Sequence, residues 1–251
     1  MKKILIAAAL ALLVCGCGPK GYTSYSWEYH ELDSRYDGGT DTSVQEAIAK
    51  YDSLMAPLQE IVCYSNAVYS KESPESGLSN YATDALRHFA EEYSGEKIDM
   101  SLLNFGGIRT DLPKGAVRVY DIFSIFPFNN YLSILTVEGD TLKDIFDSMA
   151  RKNHVEALSG VKLKIDGGRV KECLVGGKPL DSNKNYKVAT IDFLVTGGDG
   201  IDWGNGILIR LDTPFALRDV MIAEMKALMA AGKTLDLKKD GRVVVTNPKK
   251  K

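Results

Sequence analysis

A mainly apolar segment that ends in two adjacent glycines constrains the fold of this chain more than any other feature. Residues 98–103 have the length and composition of a buried strand, and Gly106 and Gly107 follow shortly after them. A glycine has no Cβ, so the backbone of such a turn can approach a ligand closely. Asn104 and Arg109 flank the turn, and the planar guanidinium group of an arginine fits carboxylate or phosphate oxygens. The segment therefore predicts a strand that ends in a ligand-binding turn.

Two later segments place aromatic rings beside turns. Phe128 and Asn130 follow a proline, and Phe193 precedes the turn at residues 197–200, which contains Asp199. Taken alone, a glycine-rich pair of residues in either turn is more typical of a tight turn than of a ligand-binding site. Together, however, these segments supply rings, amides and a carboxylate, which are the groups that a pocket for a flat polar ligand requires. The combination favours a binding site.

Hydrophobic periodicity predicts helices and strands in mixed order. Apolar residues three and four positions apart predict a helix over residues 78–93 and a second helix from Thr141. Thr213 and Pro214 predict the N-cap and the first residue of the last helix. Glycine turns at residues 166–168 and 176–178 predict hairpins. Because these hairpins interrupt the alternation of strands and helices, the pattern indicates one α+β domain over residues 43–246. The predicted strands are residues 61–64, 98–103, 132–137, 161–165, 170–175, 186–190 and 242–246.

The composition argues against two classes of function. A net charge of −2 over 251 residues lacks the basic excess of a nucleic-acid-binding surface, so no nucleic acid is expected as a partner. The three histidines, His30, His88 and His154, stand in none of the motifs that bind metals or form a catalytic triad. We therefore expect no catalytic residue, no metal site and no cofactor within the chain. Cys63 and Cys173 could form a disulfide, although their spacing does not indicate a disulfide framework.

The first 17 residues have the pattern of a bacterial lipoprotein signal peptide. Two lysines precede an apolar segment, residues 4–14, that is too short to span a bilayer comfortably. The next residues resemble a lipobox, in which Cys17 is a better lipidation site than Cys15 because Val14 would be a poor residue at the cleavage position. Cleavage without a lipid is the alternative. We expect a lipid alone to hold the protein in the bacterial cell envelope, on its periplasmic or its surface side. The other terminal segments are expected to be a tether, residues 18–42, and a basic tail, residues 247–251.

The order of the motifs resembles one protein family. Asn-x-Gly-Gly-Ile-Arg, Pro-Phe-x-Asn and Phe-Leu-x-x-Gly-Gly-Asp-Gly follow one another as in the C-terminal domain of the 5′-nucleotidases and UDP-sugar hydrolases. The resemblance extends over residues 43–246 and implies that domain's four-layered α/β/β/α fold. It also implies that Phe128 and Phe193 sandwich a nucleobase and that Asp199 binds ribose hydroxyl groups. The substrate-binding residues that it implies are Asn104, Gly106, Gly107, Arg109, Phe128, Asn130, Phe193 and Asp199.

Two side chains near these motifs carry further expectations. Phe126 alternates with Phe128, so one of the two rings is expected to be buried. Members of the resembled family often carry arginines before their Asn-to-Asp-Ala helix, but this chain has none between Arg35 and Arg87. Lys71 is the cation near that place, and we expect Lys71→Ala to change the affinity for nucleotides more than the affinity for nucleosides.

The resemblance implies that the family's hydrolytic chemistry lies outside this chain. In that family a separate N-terminal metallophosphoesterase domain performs two-metal hydrolysis of a phosphoester, and this chain lacks motifs of that kind. The first hypothesis is a detached substrate-binding half that acts in nucleotide catabolism with a metallophosphoesterase chain, which would carry the divalent metals. The alternatives are a stand-alone lipoprotein that binds nucleosides or nucleotides without catalysis, and a scaffold that has lost its ligand. A nucleoside, a nucleotide or a UDP-sugar is the ligand expected if the site is retained.

Overall fold

The computed structural model describes nearly all of the chain beyond its N-terminal 50 residues. The described residues are 26–29, 42–49 and 51–248. The chain divides into two units, Met1–Lys50 and Tyr51–Lys251. In the first unit, residues 26–29 have no regular secondary structure and helix α1 spans Thr42–Ala49, and all of these residues are exposed. The predicted lipidation site Cys17 lies outside the described residues, as do the signal peptide and most of the tether.

The second unit contains helices and strands in irregular order. Its helices are α2 (Asp52–Met55), α3 (Gly77–Ser94), α4 (Val119–Ile125), α5 (Gly139–Lys152), α6 (Asp192–Val195) and α7 (Leu217–Ala230). Its strands are β1 (Ile61–Ser65), β2 (Met100–Leu103), β3 (Gly115–Arg118), β4 (Tyr131–Glu138), β5 (Ala157–Ser159), β6 (Val161–Asp166), β7 (Arg169–Val175), β8 (Lys178–Pro179), β9 (Asn185–Ile191), β10 (Ile207–Ala216) and β11 (Val243–Thr246). Across residues 26–29, 42–49 and 51–248, no helix combines the length and the apolar character needed to cross a bilayer.

The strands form sheets of five, four and two strands. The five-stranded sheet has the order β10-β4-β9-β2-β5, and only its β2–β9 pair is parallel. The four-stranded sheet has the order β11-β6-β7-β8, and β1 pairs with β3. The glycine turns predicted at residues 166–168 and 176–178 join β6 to β7 and β7 to β8 as hairpins. The α+β class predicted from the sequence is confirmed.

Helix α3 has the predicted apolar stripe and packs against the five-stranded sheet. Leu78 and Leu86 are fully buried. At the N-terminus, the Oγ of Ser76 accepts a hydrogen bond from the backbone N–H of Ser79 at 3.0 Å. At the C-terminus, Gly95 takes the left-handed conformation with φ of 67°. The predicted helix over residues 78–93 is confirmed, with one further residue at each end.

The predicted start of the last helix is wrong. Thr213 and Pro214 lie within strand β10, and the helix begins three residues later at Leu217. Proline is tolerated here because β10 is an edge strand, where the missing N–H removes no bond from the sheet interior. The hydroxyl of Thr213 donates to the backbone oxygen of Leu132 at 2.9 Å instead of capping a helix. Pairing with β4 therefore overrides a local pattern that is typical of a helix start.

One buried carboxylate fastens the start of strand β11 to the beginning of α3. Glu75 is 6% exposed, and its Oε1 accepts hydrogen bonds from Nδ2 of Asn80 at 2.8 Å and from the backbone N–H of Asp240 at 2.6 Å. The backbone N–H groups of Gly241 and Val243 donate to the same carboxylate. Four donors offset the cost of burying a charge. Residues 240–243 are therefore an integral part of the folded unit.

The two cysteines of the second unit are not joined. Cys63 is fully buried, Cys173 is partly buried, and both thiols are free. The disulfide that the sequence analysis considered possible therefore does not form. Burial raises the pKa of each thiol to about 12. Both groups are therefore neutral thiols at physiological pH, and neither has the character of a reactive cysteine.

Candidate functional site

The glycine turn after β2 is held in place from two sides. The ring of Phe105 is 7% exposed, and the backbone N–H of this residue donates to Oε2 of Glu156 at 2.7 Å. From the other side, the ammonium group of Lys71 donates to the backbone oxygens of Phe105 and Ile108. Lys71 does not line the adjoining cavity. The lysine that the sequence suggested for phosphate therefore stabilises the turn itself.

Seven of the eight residues predicted to bind substrate line one cavity of about 260 Å³. They come from the turn after β2, from the loop between α4 and β4, and from the segment that follows β9. The eighth residue, Gly107, does not line the cavity; an ideal Cβ there would lie 2.9 Å from Oδ1 of Asn104, so this glycine leaves room for the amide. The lining residues are Asn104, Gly106, Arg109, Phe128, Asn130, Phe193 and Asp199.

Two aromatic rings of the cavity are exposed. Phe128 is 47% exposed and Phe193 is 41% exposed, whereas Phe126 is 2% exposed. The expectation that one ring of the pair at positions 126 and 128 is buried is confirmed. Gly198 makes room for the second ring, because an ideal Cβ there would lie 2.4 to 2.6 Å from three ring carbons of Phe193. Exposed rings in a cavity offer flat apolar faces to a ligand.

The polar groups of the cavity are linked to each other. Nδ2 of Asn104 donates to Oδ2 of Asp199 at 2.6 Å. Nη1 of Arg109 donates to the backbone oxygen of Gly106 at 3.3 Å, and its Cζ lies 5.9 Å from the centre of the Phe128 ring. Within residues 51–248, no donor bonds to Oδ1 of Asp199. That oxygen can accept a hydrogen bond from a ligand hydroxyl group.

Glu156 supports the site although the sequence patterns did not indicate it. Its side chain is buried, with Oε2 bonded to the turn and Oε1 2.8 Å from Nε2 of His154. It immediately precedes β5, whose first residue, Ala157, pairs with Leu103 at the end of β2. This pairing brings the carboxylate under the glycine turn. Because the placement depends on a tertiary contact between distant residues, no local periodicity could have predicted it.

A second, larger cavity of about 390 Å³ lies beside the first. Asp199 is the one residue that lines both cavities. The wall of the larger cavity carries the cations of Arg151 and Lys152 together with the carboxylates of Asp144 and Asp202. Because positive and negative side chains both line this wall, the cavity does not favour ions of one sign.

One cluster of possible metal ligands lies away from both cavities. His88 and Glu92 on α3 and Glu224 on α7 place ligand atoms within 4.8 Å of one another, and no other such group of three occurs among the described residues. Nδ1 of His88 lies 3.0 Å from Oε1 of Glu224, and this hydrogen bond raises the pKa of the histidine above its ordinary value. The arrangement is that of an ion pair between two packed helices.

Comparison with known proteins identifies the family. The model of the 5′-nucleotidase C-terminal domain family matches residues 53–205. The chain belongs to this family. The resemblance drawn from the three motifs is therefore confirmed, whereas the lipid anchor and the partner chain remain predictions.

The curated relatives of this chain are longer proteins that it matches in part. Protein UshA of Yersinia enterocolitica is 31% identical over 106 residues, which make up 41% of this chain and 19% of that protein. The apyrase of Tabanus yao is 27% identical over 169 residues, which make up 56% of this chain and 30% of that protein. The chain thus spans less than a third of the length of these relatives.

Solved structures of related proteins share the fold. The 5′-nucleotidase precursor of Thermus thermophilus superimposes with a TM-score of 0.69 at 24% identity, over 82% of this chain and 43% of that one. The NAD nucleotidase of Haemophilus influenzae gives a TM-score of 0.63 at 21% identity, over 82% of this chain and 42% of that one. The superpositions support the fold class, α+β of the 5′-nucleotidase C-terminal type.

Proposed function

We propose that this chain binds nucleosides or nucleotides as the recognition component of a 5′-nucleotidase-type hydrolase whose metallophosphoesterase is a separate chain. The observation that carries the proposal is the convergence of seven residues from three segments on one cavity. The cavity combines two exposed rings with a carboxylate and a guanidinium group. These groups complement the base, the sugar and the phosphate of a nucleotide.

Each part of a nucleotide would have a defined partner. The rings of Phe128 and Phe193 would stack on the base, which is worth about 1–3 kcal/mol and tolerates any base. The amide of Asn130 can both donate to and accept from the base edge. Oδ1 of Asp199 would accept from a ribose hydroxyl, and the guanidinium of Arg109 would meet phosphate oxygens.

Hydrolysis would require residues from outside this cavity, and we propose that a second chain supplies them. A two-metal centre needs several histidine, aspartate or asparagine ligands in a cluster. The cavity supplies the single carboxylate of Asp199 and no histidine, so its residues do not fit such a centre. The role proposed for this chain is therefore to bind and orient the substrate, while the partner would hold the metals.

Equilibrium titration of the full chain with adenosine, AMP and UDP-glucose tests the binding role. We expect saturable binding of adenosine or AMP, and a loss of about 5- to 150-fold in Phe193→Ala because one stacking face is removed. Phe123→Ala is the matched control, since that ring is 38% exposed on α4 but does not line the cavity. Absence of saturable binding to all three compounds would overturn the proposal, as would an equal loss in the control.

A mixing experiment tests the partner role. Phosphate release from AMP is measured for a metallophosphoesterase chain of the same bacterium, alone and together with this chain. We expect release from the mixture to exceed release by the partner alone, and to fall with Phe193→Ala but not with Phe123→Ala. Full activity of the partner alone, combined with binding of adenosine by this chain, would instead favour a stand-alone binding lipoprotein.

We also propose that Cys17 carries a lipid, on the support of the lipobox-like sequence around it. Growth of an expressing bacterium with a labelled fatty acid should label the protein. Cys17→Ser should abolish the label, whereas the matched variant Cys15→Ser should retain it. Labelling that survives in Cys17→Ser would refute the assignment.

A further inference from the structure

The outer edge of strand β10 presents an apolar surface that the ligand cavity does not use. β10 is the end strand of the five-stranded sheet and bonds to β4 on one side. Within residues 51–248, no strand pairs with its other side. Residues 208–212 are all exposed, including Leu208 at 48%, Ile209 at 63% and Leu211 at 44%. An exposed apolar edge of this kind is a template for pairing with another strand.

Side chains of opposite character lie on the two faces of this edge. Because side chains alternate along a strand and the register with β4 is regular from Ile209 to Asp212, Ile209 and Leu211 share one face, whereas Arg210 and Asp212 share the other. Nε of Arg210 lies 2.9 Å from Oδ1 of Asp212. One face is therefore apolar, and the other carries one positive and one negative charge two residues apart.

We propose that β10 of one copy of this chain pairs antiparallel with β10 of a second copy, with the two-fold axis at Leu211. In this register Arg210 lies opposite Asp212 of the second copy, and the same pair forms again by symmetry. Leu211 lies opposite itself, and Ile209 lies diagonally across from it on the same face. The pairing joins the two five-stranded sheets into one.

The charge pattern selects this register over its neighbours. An axis at Arg210 would place two arginines opposite each other, and an axis at Asp212 would place two aspartates opposite each other. Like charges directly opposite across strands are destabilising. An axis at Ile209 would leave neither charge opposite its counterpart, and it would extend the pairing into the irregular part of β10 between Ile207 and Ile209. Because only the register at Leu211 pairs both charges with their opposites, the edge is complementary to itself, which favours a second copy over an unrelated strand.

The geometry of β10 also limits the length of the pairing. Its register with β4 is irregular between Ile207 and Ile209 and again between Asp212 and Ala216, and Pro214 has no N–H to donate. The ladder proposed runs from Ile209 to Thr213. Such a short ladder predicts a dimer that dissociates on dilution rather than an obligate one.

Cysteine cross-linking tests the register directly. Leu211→Cys would face its own symmetry mate with Cα atoms about 4.5–5.5 Å apart, which a disulfide can bridge. Ile209→Cys is the matched control, because in the same register the two cysteines would lie four residues apart along the strand, at about 13 Å. Both variants are made in the full chain with Cys15, Cys17 and Cys173 replaced by serine, while the buried Cys63 is retained. We expect Leu211→Cys to form a disulfide dimer on mild oxidation and Ile209→Cys to remain monomeric; equal or reversed cross-linking would overturn the proposal.

Charge reversal gives an independent measurement. Sedimentation equilibrium should show self-association of the unmodified chain, weakened at least about tenfold by Arg210→Asp because two aspartates then face each other. The double variant Arg210→Asp/Asp212→Arg should regain association relative to the single variant. Both side chains are exposed, and circular dichroism verifies that each variant folds. A chain that sediments as a monomer at every concentration, or association unchanged in Arg210→Asp, would overturn the proposal.

Discussion

Replacing Gly198 with alanine would move an aromatic ring of the cavity without deleting it. The new Cβ would lie 2.4 Å from the nearest carbon of the Phe193 ring. Non-bonded carbons are in contact at about 3.5–4.0 Å, so the ring must retreat by about 1 Å or more. Position 198 does not require a positive φ, so alanine introduces no backbone strain there. The three atoms nearest to the new Cβ all belong to the Phe193 ring, so the substitution acts first on that ring.

The displaced ring should affect binding more than folding. Phe193 is 41% exposed, so its displacement costs little buried contact and the melting temperature should change little. If this ring is one face of a base-stacking site, its loss removes about 1–3 kcal/mol of stacking. Gly198→Ala should then weaken adenosine binding by about 5- to 150-fold, up to the loss caused by Phe193→Ala.

A double-mutant cycle supplies the decisive assay. Calorimetric titration with adenosine is carried out on Gly198→Ala, on Phe193→Ala and on the double variant. Because the alanine methyl group acts through the ring, Gly198→Ala should have no further effect once the ring is absent. Unchanged affinity in the single Gly198 variant would refute the assignment of the ring to the site. Fully additive losses would show that the glycine acts by another route.

Further predictions concern two other side chains. Glu156→Leu should leave the backbone N–H of Phe105 without an acceptor, which should lower the free energy of unfolding by about 1–3 kcal/mol and weaken adenosine binding. Glu156→Gln keeps an acceptor, so denaturant titration should show a smaller loss of unfolding free energy for this variant. Equal losses in both variants would contradict this role. The hydrogen bond that His88 donates to Glu224 raises the pKa of His88, so its stabilising effect should be fully present at and below about pH 6 and disappear as the pH rises through the raised pKa. Unfolding of Glu224→Gln measured between about pH 5.5 and 8.5 should show a deficit that shrinks with rising pH, and a constant deficit would refute the coupling.

Local patterns predicted the elements that local residues determine. The stripe of α3 and the glycine hairpins between β6 and β8 follow from periodicity and turn chemistry, and both are present. The helix start predicted from Thr213 and Pro214 was wrong because a Thr-Pro pair is compatible both with a helix start and with an edge strand. Only the pairing with β4 decides between the two structures. Glu156 was missed for the same reason, since its function in the turn depends on a residue 51 positions away.

The candidate site shows a similar division. Ordered motifs identified the seven residues that line the cavity, because each motif combines a turn with a side chain suited to one part of the proposed ligand. Sequence alone could not show that Gly107 serves the side chain of Asn104, or that Lys71 binds backbone oxygens. Both facts depend on which groups face the cavity, and that is decided by the packing of the turn.

The hydrogen bonds of Glu75 have a practical consequence for anyone who wants a minimal binding module. The family match stops at residue 205, yet β10, α7 and β11 all lie beyond it and complete two of the sheets. A fragment that ends at residue 205 would lack β10, which pairs with β4. It would also leave the buried carboxylate of Glu75 without the backbone N–H groups that donate to it. The last 40 or so residues should be treated as indispensable to folding, so trimming for expression should begin at the opposite terminus.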